Sequence, residues 1–257
     1  MRTPLHDGMT MLDYVERVIS STSMDELWQM HCEAMASYGF TRLIYGMAAS
    51  RSRASFGSRD DFLLLTNIGS DYMDTFINDG LYQHAPMVRW AAENSGACSW
   101  SWIADHAEAL TRKEQEVVAF NVKHGLTAGY SISFAEAGAR GIAAVGLIPD
   151  TDVSQQKVDE IWAEKGREII AKNNVLHLKI LNLPYPSTRK PLTSRQREAL
   201  EWVGEGKTTQ DIGIIMGLTA ATVEKHLRLA REALDVETTA QAVLKASLQN
   251  QIFRIEG

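Results

Sequence analysis

The chain has 257 residues, 45% hydrophobic and 23% charged. That is an ordinary globular composition; it excludes disordered and collagen-like classes and allows one large domain or two modest ones. The formal net charge of -6 and the two cysteines, Cys32 and Cys98, exclude a basic nucleic-acid tail and a disulfide framework.

In chain order, residues 11–21 carry apolar spacing at Met11/Leu12, Val15 and Val18/Ile19. Ser23, three residues before Glu26, fits a capping box, and the helix that follows places Leu27, Met30, Ala34 and Tyr38 on one stripe before Gly39 stops it. FTRLIYGMAA (40–49) and DFLLLTN (61–67) are strand-like, separated by a polar, basic loop. The spacing predicts a helix over 70–81, with Tyr72, Phe76 and Leu81 nearly in phase, and a second capping box at Thr111 and Glu114 opens a helix ending at Gly125. GYSISF and GIAAVGLI form a hairpin signal around a Gly-rich turn at 136–141, and a long helix runs from about Ser154 to Leu181. This order predicts an α+β chain whose N-terminal part is an α-β-α sandwich with an antiparallel sheet. NLPYPSTRKPLT (182–193) holds Pro184, Pro186 and Pro191 and cannot continue a helix. The expected organisation is therefore 1–181, a linker at 182–191, and 192–257.

The last segment reads as an all-α four-helix domain. Thr193 and Gln196 form a capping box, and Ala199/Leu200 and Val203 face inward. Thr208 or Thr209 caps a short helix stopped by Gly217. Thr219 caps a longer one with Val223, Leu227, Ala230 and Leu234 inside and Glu224, Lys225, Arg228 and Arg231 outside, and a fourth helix starts near Thr239. Two helices around a Gly-containing turn suit a major groove, and Lys207, Thr208 and Thr209 stand where free backbone N–H groups hold a phosphate. Periodicity alone leaves a plain four-helix packing module with a solvated basic face equally open. Residues 187–257 carry 10 Lys+Arg against 9 Asp+Glu, and residues 1–186 carry 16 against 23, so contact with a polyanion depends on local placement.

The stretch from Leu192 to Leu234 closely resembles the DNA-binding domain of the LuxR family of bacterial transcription factors. The matching residues are Leu192-Thr193, Arg195, Leu200, Trp202, Gly206-Lys207, Ile212, Gly217, Thr222-Val223, His226, Leu227 and Leu234, with AQAVLKA (240–246) beyond them. The resemblance implies a homodimer on a near-palindromic double-stranded operator, with Thr222, Glu224, Lys225 and Arg228 facing bases or backbone. Two positions depart: Gln196 stands where the family usually has Glu, and Thr239 where many members carry Arg or Lys, which removes one phosphate contact.

Ahead of it, no Walker loop occurs, and the two strand-like runs lack the acidic pair and phosphoacceptor Asp of a receiver. The segment resembles instead the autoinducer-binding domain of quorum-sensing LuxR proteins. Tyr72, Phe76, Ala85-Pro86, Trp100, Gly125 and Gly129 fall at its signature Trp, Tyr, Asp-Pro, Trp and two Gly. The resemblance implies ligand contacts from Tyr72, Phe76, Ala85, Pro86, Trp100 and Gly129. In the family the first Trp donates to the lactone carbonyl, the Tyr hydroxyl reaches the acyl carbonyl and the Asp accepts from the amide N–H. Here Tyr72 replaces the first donor, Phe76 has no hydroxyl and Ala85 no acceptor. A buried amide N–H without a partner costs roughly 1–3 kcal/mol, which favours a non-standard ligand over an acyl-homoserine lactone.

The blander reading keeps Phe76 and Trp100 as core aromatics, Pro86 as a helix-starting residue, Met47, Met87 and Trp90 as filling, and His31-Cys32 as packing. No GxSxG, Cys/His, HExxH or clustered His/Cys pattern occurs, so no enzyme activity, metal or cofactor is expected. With no run of roughly 18 apolar residues and no signal-like N-terminus, the expected setting is the cytoplasm, with no membrane partner. The expected function is a regulator whose small, largely apolar signal controls operator binding; the rival is a ligand-independent DNA-binding or partner-sequestering protein of the same fold.

Overall fold

The computed structural model describes residues 9–48, 62–134, 142–183 and 191–253. The basic loop 50–60, the Gly-rich turn 136–141 and residues 184–190 of the Pro-rich segment lie outside the described residues. The chain divides into two compact units, Met1–Lys179 and Ile180–Gly257.

In the first unit, α1 (Met11–Ser20) and α2 (Met24–Ala36) precede β1 (Phe40–Ala48) and β2 (Phe62–Thr66). Then come α3 (Ser70–Met73), α4 (Pro86–Glu93), β3 (Gly96–Ser99), α5 (Ser101–Asp105), α6 (Arg112–Lys123), β4 (Tyr130–Phe134), β5 (Ile142–Pro149) and α7 (Gln155–Ile180). The five strands form one antiparallel sheet in the order β2-β1-β5-β4-β3. Strand alternation gives the sheet two unlike faces. Leu43, Tyr45, Val145, Leu147, Ile132 and Phe134 form the large, buried face, and α2 and α7 pack there: the Tyr45 hydroxyl lies 2.8 Å from His177 Nδ1, Phe134 stacks on His177 at 4.3 Å and Tyr130 on Trp162 at 3.8 Å. The opposite face is built from Ile44, Gly46, Ala144, Gly146, Ser131 and Ser133, with Gly46 opposite Ala144 and Ser131 opposite Gly146. This α-β-α sandwich is the fold the sequence predicts.

Several local expectations need correction. In α1 the buried residues are Tyr14 and Val18, while Leu12 and Ile19 stand 67% and 68% exposed. The helix turns to bring the Tyr14 hydroxyl 2.8 Å from His31 Nδ1. His31 is therefore more than packing. Asn173 Nδ2 donates to Ile169 O at 2.8 Å, so its Oδ1 accepts from His31 Nε2 at 3.2 Å and Nδ1 is left to accept from Tyr14. Burial above all, with nearby Lys172 adding to it and the Asn173 contact opposing, brings the His31 pKa down to about 3, consistent with a neutral ring. Residues 70–81 do not form one helix. After α3 the backbone widens into a π-turn, Asp74–Asn78, Gly80 takes a left-handed φ of 74° and a 3-10 turn covers Leu81–His84. The strand at 96–99 has too few residues to show a period.

The second unit holds α8 (Ser194–Gly204), α9 (Thr209–Met216), α10 (Ala220–Leu234) and α11 (Thr239–Leu248). Thr193, Thr208, Thr219 and Thr238 cap the four helices, and Ala199, Leu200, Ile212, Val223, Leu227, Ala230, Leu234, Ala242 and Ala246 form the core. The turn between α9 and α10 is tight for two reasons. Gly217 sits at φ 66°, a conformation that glycine adopts freely. Gly213 receives the Leu218 N–H at 2.8 Å, and a Cβ there would lie 2.9 Å from the Leu218 carbonyl oxygen.

Candidate functional site

The small-residue face of the sheet cannot pack flush against helices, because Gly46, Ala144, Gly146 and Ser131 leave it without side-chain height. A cavity of about 140 Å³ lies above it. Tyr72, Phe76, Ile77, Tyr82, Ala85, Pro86, Met87, Val88 and Trp100 contribute to the lining, with Asn121 and Leu126. No charged side chain of the described residues lines it. The π-turn keeps Phe76 and Ile77 buried, and Pro86, at the first turn of α4, both starts that helix and lines the cavity.

Of the residues singled out in the sequence, Tyr72, Phe76, Ala85, Pro86 and Trp100 come together around the cavity. Gly129 is not on the wall. A Cβ there would lie 2.6 Å from the Leu147 carbonyl oxygen and 3.1 Å from the Trp100 indole, so Gly129 is the seat on which Trp100 rests. The Gly129 carbonyl accepts from the Trp100 N–H at 3.0 Å. The Gln155 side chain closes on the Gly129 N–H and carbonyl at 2.9 and 3.2 Å. Met47 and Met87 line the cavity, whereas Trp90 does not; it packs with Met87 and Ala91 near Trp102 and Ile103.

Polar atoms at the wall are few. The Tyr72 hydroxyl donates to Asn121 Oδ1 at 2.9 Å, with its ring stacked on Phe76 and Phe120, both at 5.1 Å. Burial pushes the Tyr72 phenol well above its ordinary pKa, so it stays protonated and is a donor. Trp100 Nε1 donates to Ser131 Oγ at 3.0 Å. Asn121 and Ser131 were not picked out from the sequence. Asn121 had a visible signal: it lies four residues after the fully buried Val117 on the same face of α6. Beside the cavity, Arg89 of α4 reaches Glu114 of α6 at 2.6 Å. Burial acts to raise the Glu114 pKa, but the bonds from Thr111 and Arg89 outweigh it and hold the carboxyl below its ordinary range.

In the second unit, Glu224, Lys225 and Arg228 are exposed on α10, with Thr222 half-buried. Arg231 Nη2 lies 3.2 Å from Glu224, and its Nη1 donates to Thr239 Oγ1 at 2.7 Å, so Thr239 steadies a cation. Arg228 pairs with Glu232, and the Thr222 and Thr219 hydroxyls meet at 2.8 Å. At the start of α9, Thr208 N and Oγ1 donate to Asp211 Oδ2 at 3.1 and 2.6 Å. Thr208 therefore spends its own N–H inside the capping box, and Lys207 and Thr209 flank it.

An apolar cavity within a sandwich, followed by a helix-turn-helix with an exposed polar second helix, defines a signal-responsive DNA-binding regulator. A family profile described as the autoinducer binding domain matches residues 23–180, and one described as bacterial regulatory proteins, luxR family, matches residues 190–246. The chain belongs to the LuxR family of quorum-sensing transcriptional regulators. It is 26% identical over 240 residues to the HTH-type quorum sensing-dependent transcriptional regulator RpaR of Rhodopseudomonas palustris, covering 93% of this chain and 92% of that one. It is 23% identical over 236 residues to the transcriptional activator protein LuxR of Aliivibrio fischeri, covering 91% and 88%. Among solved structures, Escherichia coli SdiA has a TM-score of 0.55 at 13% identity, with 95% and 98% covered. SdiA in complex with octanoyl-rac-glycerol scores 0.53 at 14% identity, with 93% of each chain covered.

Proposed function

We propose that Tyr72, Phe76, Ala85, Pro86 and Trp100, the last seated by Gly129, hold a small, largely apolar signal other than a standard acyl-homoserine lactone. The observation that carries this reading is the apolar cavity without a charged side chain among the described residues, roofed by those residues and floored by glycine and alanine. The octanoyl-glycerol complex of SdiA supports it by fold alone. In this reading residues 1–181 form the signal domain, 182–191 the linker and 192–257 the DNA-binding domain of a cytoplasmic homodimer without catalytic activity, and the signal acts by shifting populations. Lys207, Thr208 and Thr209 approach phosphate, and Thr222, Glu224, Lys225 and Arg228 approach bases or backbone of a near-palindromic operator. Glu224, while held by Arg231, keeps lone pairs for a cytosine amino group.

Thermal denaturation against acyl-homoserine lactones of graded chain length tests the ligand. The wild type is expected to respond weakly. Ala85→Asp, which adds the missing acceptor, is expected to gain a rise of about 5–10 °C at a hundredfold excess over Kd. A rise of that size for the wild type would overturn the preference for a non-standard signal, and silence from both proteins would favour the ligand-independent regulator. For the reader helix, Lys225→Ala is expected to weaken binding across DNA sequences and to lower the slope of log K against log salt by about 1. An unchanged slope in fluorescence anisotropy would remove Lys225 from the phosphate contacts.

A further inference from the structure

The cavity wall has an unequal supply of donors and acceptors. The Tyr72 hydroxyl gives its proton to Asn121 Oδ1, and Trp100 Nε1 gives its proton to Ser131 Oγ. Asn121, on the wall, keeps an Nδ2 group with no partner among the described residues, and the Ser131 hydroxyl proton likewise has none there. The Tyr82 hydroxyl, also on the wall, is engaged and accepts from Gln83 Nε2 at 3.3 Å. The side-chain carbonyl of Asn121 is occupied, no carboxylate of the described residues lines the wall, and the lone pairs left on the Tyr72, Tyr82 and Ser131 hydroxyl oxygens are the weak acceptors of groups already engaged. Asn121 itself is held in place, because the Tyr72 ring that grips it is clamped between Phe76 and Phe120.

We infer that Asn121 is a ligand-contacting residue and that the signal is a neutral acyl compound whose head only accepts hydrogen bonds, an ester or ketone lacking an amide N–H. The inference rests on the cavity being the signal site and goes further by naming the head group. A carbonyl oxygen placed at Asn121 Nδ2 satisfies that donor and leaves nothing unpaired on the ligand. An amide head at the same place buries an N–H against described side chains that offer no free strong acceptor, and a buried unsatisfied donor weakens binding tenfold or more. The apolar remainder of the lining, Ile44, Leu64, Met47 and Met87 among it, suits an alkyl chain.

The test uses two isosteres that differ only at one atom: N-octanoyl-homoserine lactone and α-octanoyloxy-γ-butyrolactone, in which the amide N–H is replaced by an ester oxygen. Calorimetric titration of the full chain is expected to give the ester an affinity at least tenfold above the amide. Asn121→Leu is expected to weaken the ester about tenfold, and Asn121→Asp at pH 8, which offers a second oxygen in the same shape, is expected to reverse the preference. An amide that binds the wild type as tightly as the ester, or an ester affinity unmoved by Asn121→Leu in a folded variant, overturns the inference and leaves the cavity reading standing. No binding of either compound to the wild type, or binding undiminished in Gly46→Val, where the cavity floor is filled, overturns both.

Discussion

Replacing Gly46 by valine is expected to abolish the signal response while leaving the fold intact. Gly46 lies in the middle of β1, between Leu64 and Ala144, on the face that floors the cavity. A Cβ built there meets nothing within 4 Å, and its backbone is not among the positive-φ glycines, so a side chain enters empty space without backbone strain. Valine favours strands, and glycine in a strand interior gives up chain entropy on folding. Stability without ligand is therefore expected to hold or to rise by up to about 1 kcal/mol. The added methyl groups occupy the volume an alkyl chain would take, and affinity for any ligand of the wild type is expected to fall by more than about a hundredfold, close to 3 kcal/mol. Melting curves with and without ligand read both halves. A folded Gly46→Val protein with wild-type affinity would place the signal elsewhere, and an unfolded one would show that the floor is under strain.

Lys172→Met is expected to be the costliest single change away from the cavity. The Lys172 side chain is 1% exposed. Its Nζ donates to Tyr38 Oη at 2.7 Å and Met9 O at 3.0 Å, pairs with Glu168 at 3.1 Å and lies 5.5 Å and 5.0 Å from the centroids of the Tyr14 and Tyr38 rings. One ammonium thus fastens Met9, just ahead of α1, and Tyr38, just after α2, to α7. Methionine keeps most of the stem but strands the Met9 carbonyl and leaves the Tyr38 hydroxyl with Glu168 alone. Breaking a buried pair costs about 3–5 kcal/mol; because Glu168 is 38% exposed and water can rescue it, the low end of that range is expected, about 3 kcal/mol, or about 6–12 °C in Tm. The gap should narrow in acid. The Tyr38 hydroxyl, then Lys172, hold the Glu168 carboxyl below its ordinary pKa against the opposing effect of burial. A carboxyl depressed in the folded state stabilises it above the unfolded pKa of about 4.3, and that stability is lost as pH falls through the folded value. The difference between wild-type and Lys172→Met melting points is therefore expected to narrow below about pH 4 without vanishing, because the bonds of Lys172 to Met9 O and Tyr38 Oη do not titrate there; a constant difference from pH 7 to pH 3 would show that the Glu168 charge contributes nothing.

The sequence reveals most clearly whatever rests on local chemistry. The Thr111/Glu114 and Thr193/Gln196 capping boxes stand where their spacing puts them, because a capping box is complete within four residues. The inner face of α10 is likewise readable from its period. The cavity roof could be named from the resemblance, yet its floor could not. Gly46, Ala144 and Gly146 matter only because register sets β1 beside β5, and register is a long-range property. The burial of Lys172 has the same origin, since it depends on Met9 and Tyr38, both more than a hundred residues away, and the rotation of α1 follows Tyr14, which meets His31 of another helix and lies 3.1 Å from the Lys172 carbonyl. Gly129 lies in the neighbourhood the resemblance implies but off the described lining, where its lack of a side chain seats Trp100. Asn121 is the residue that a helical wheel would have exposed, being polar on an apolar face.

Two of the cations on the outer face of α10 are already spoken for: Arg228 by Glu232 and Arg231 by Glu224. Counted with its neighbours, the segment from residue 187 onward has only one more Lys+Arg than Asp+Glu, 10 against 9. Attraction to arbitrary duplex grows with the number of phosphates neutralised, so such a module clings weakly to random genomic sequence. Its search problem is then inverted. Few copies are trapped on the roughly 10⁶–10⁹ competing sites a genome offers, and more remain free to sample the operator. The cost is a shallower electrostatic slide toward the target, so occupancy depends more on how well the reader helix fits its own site.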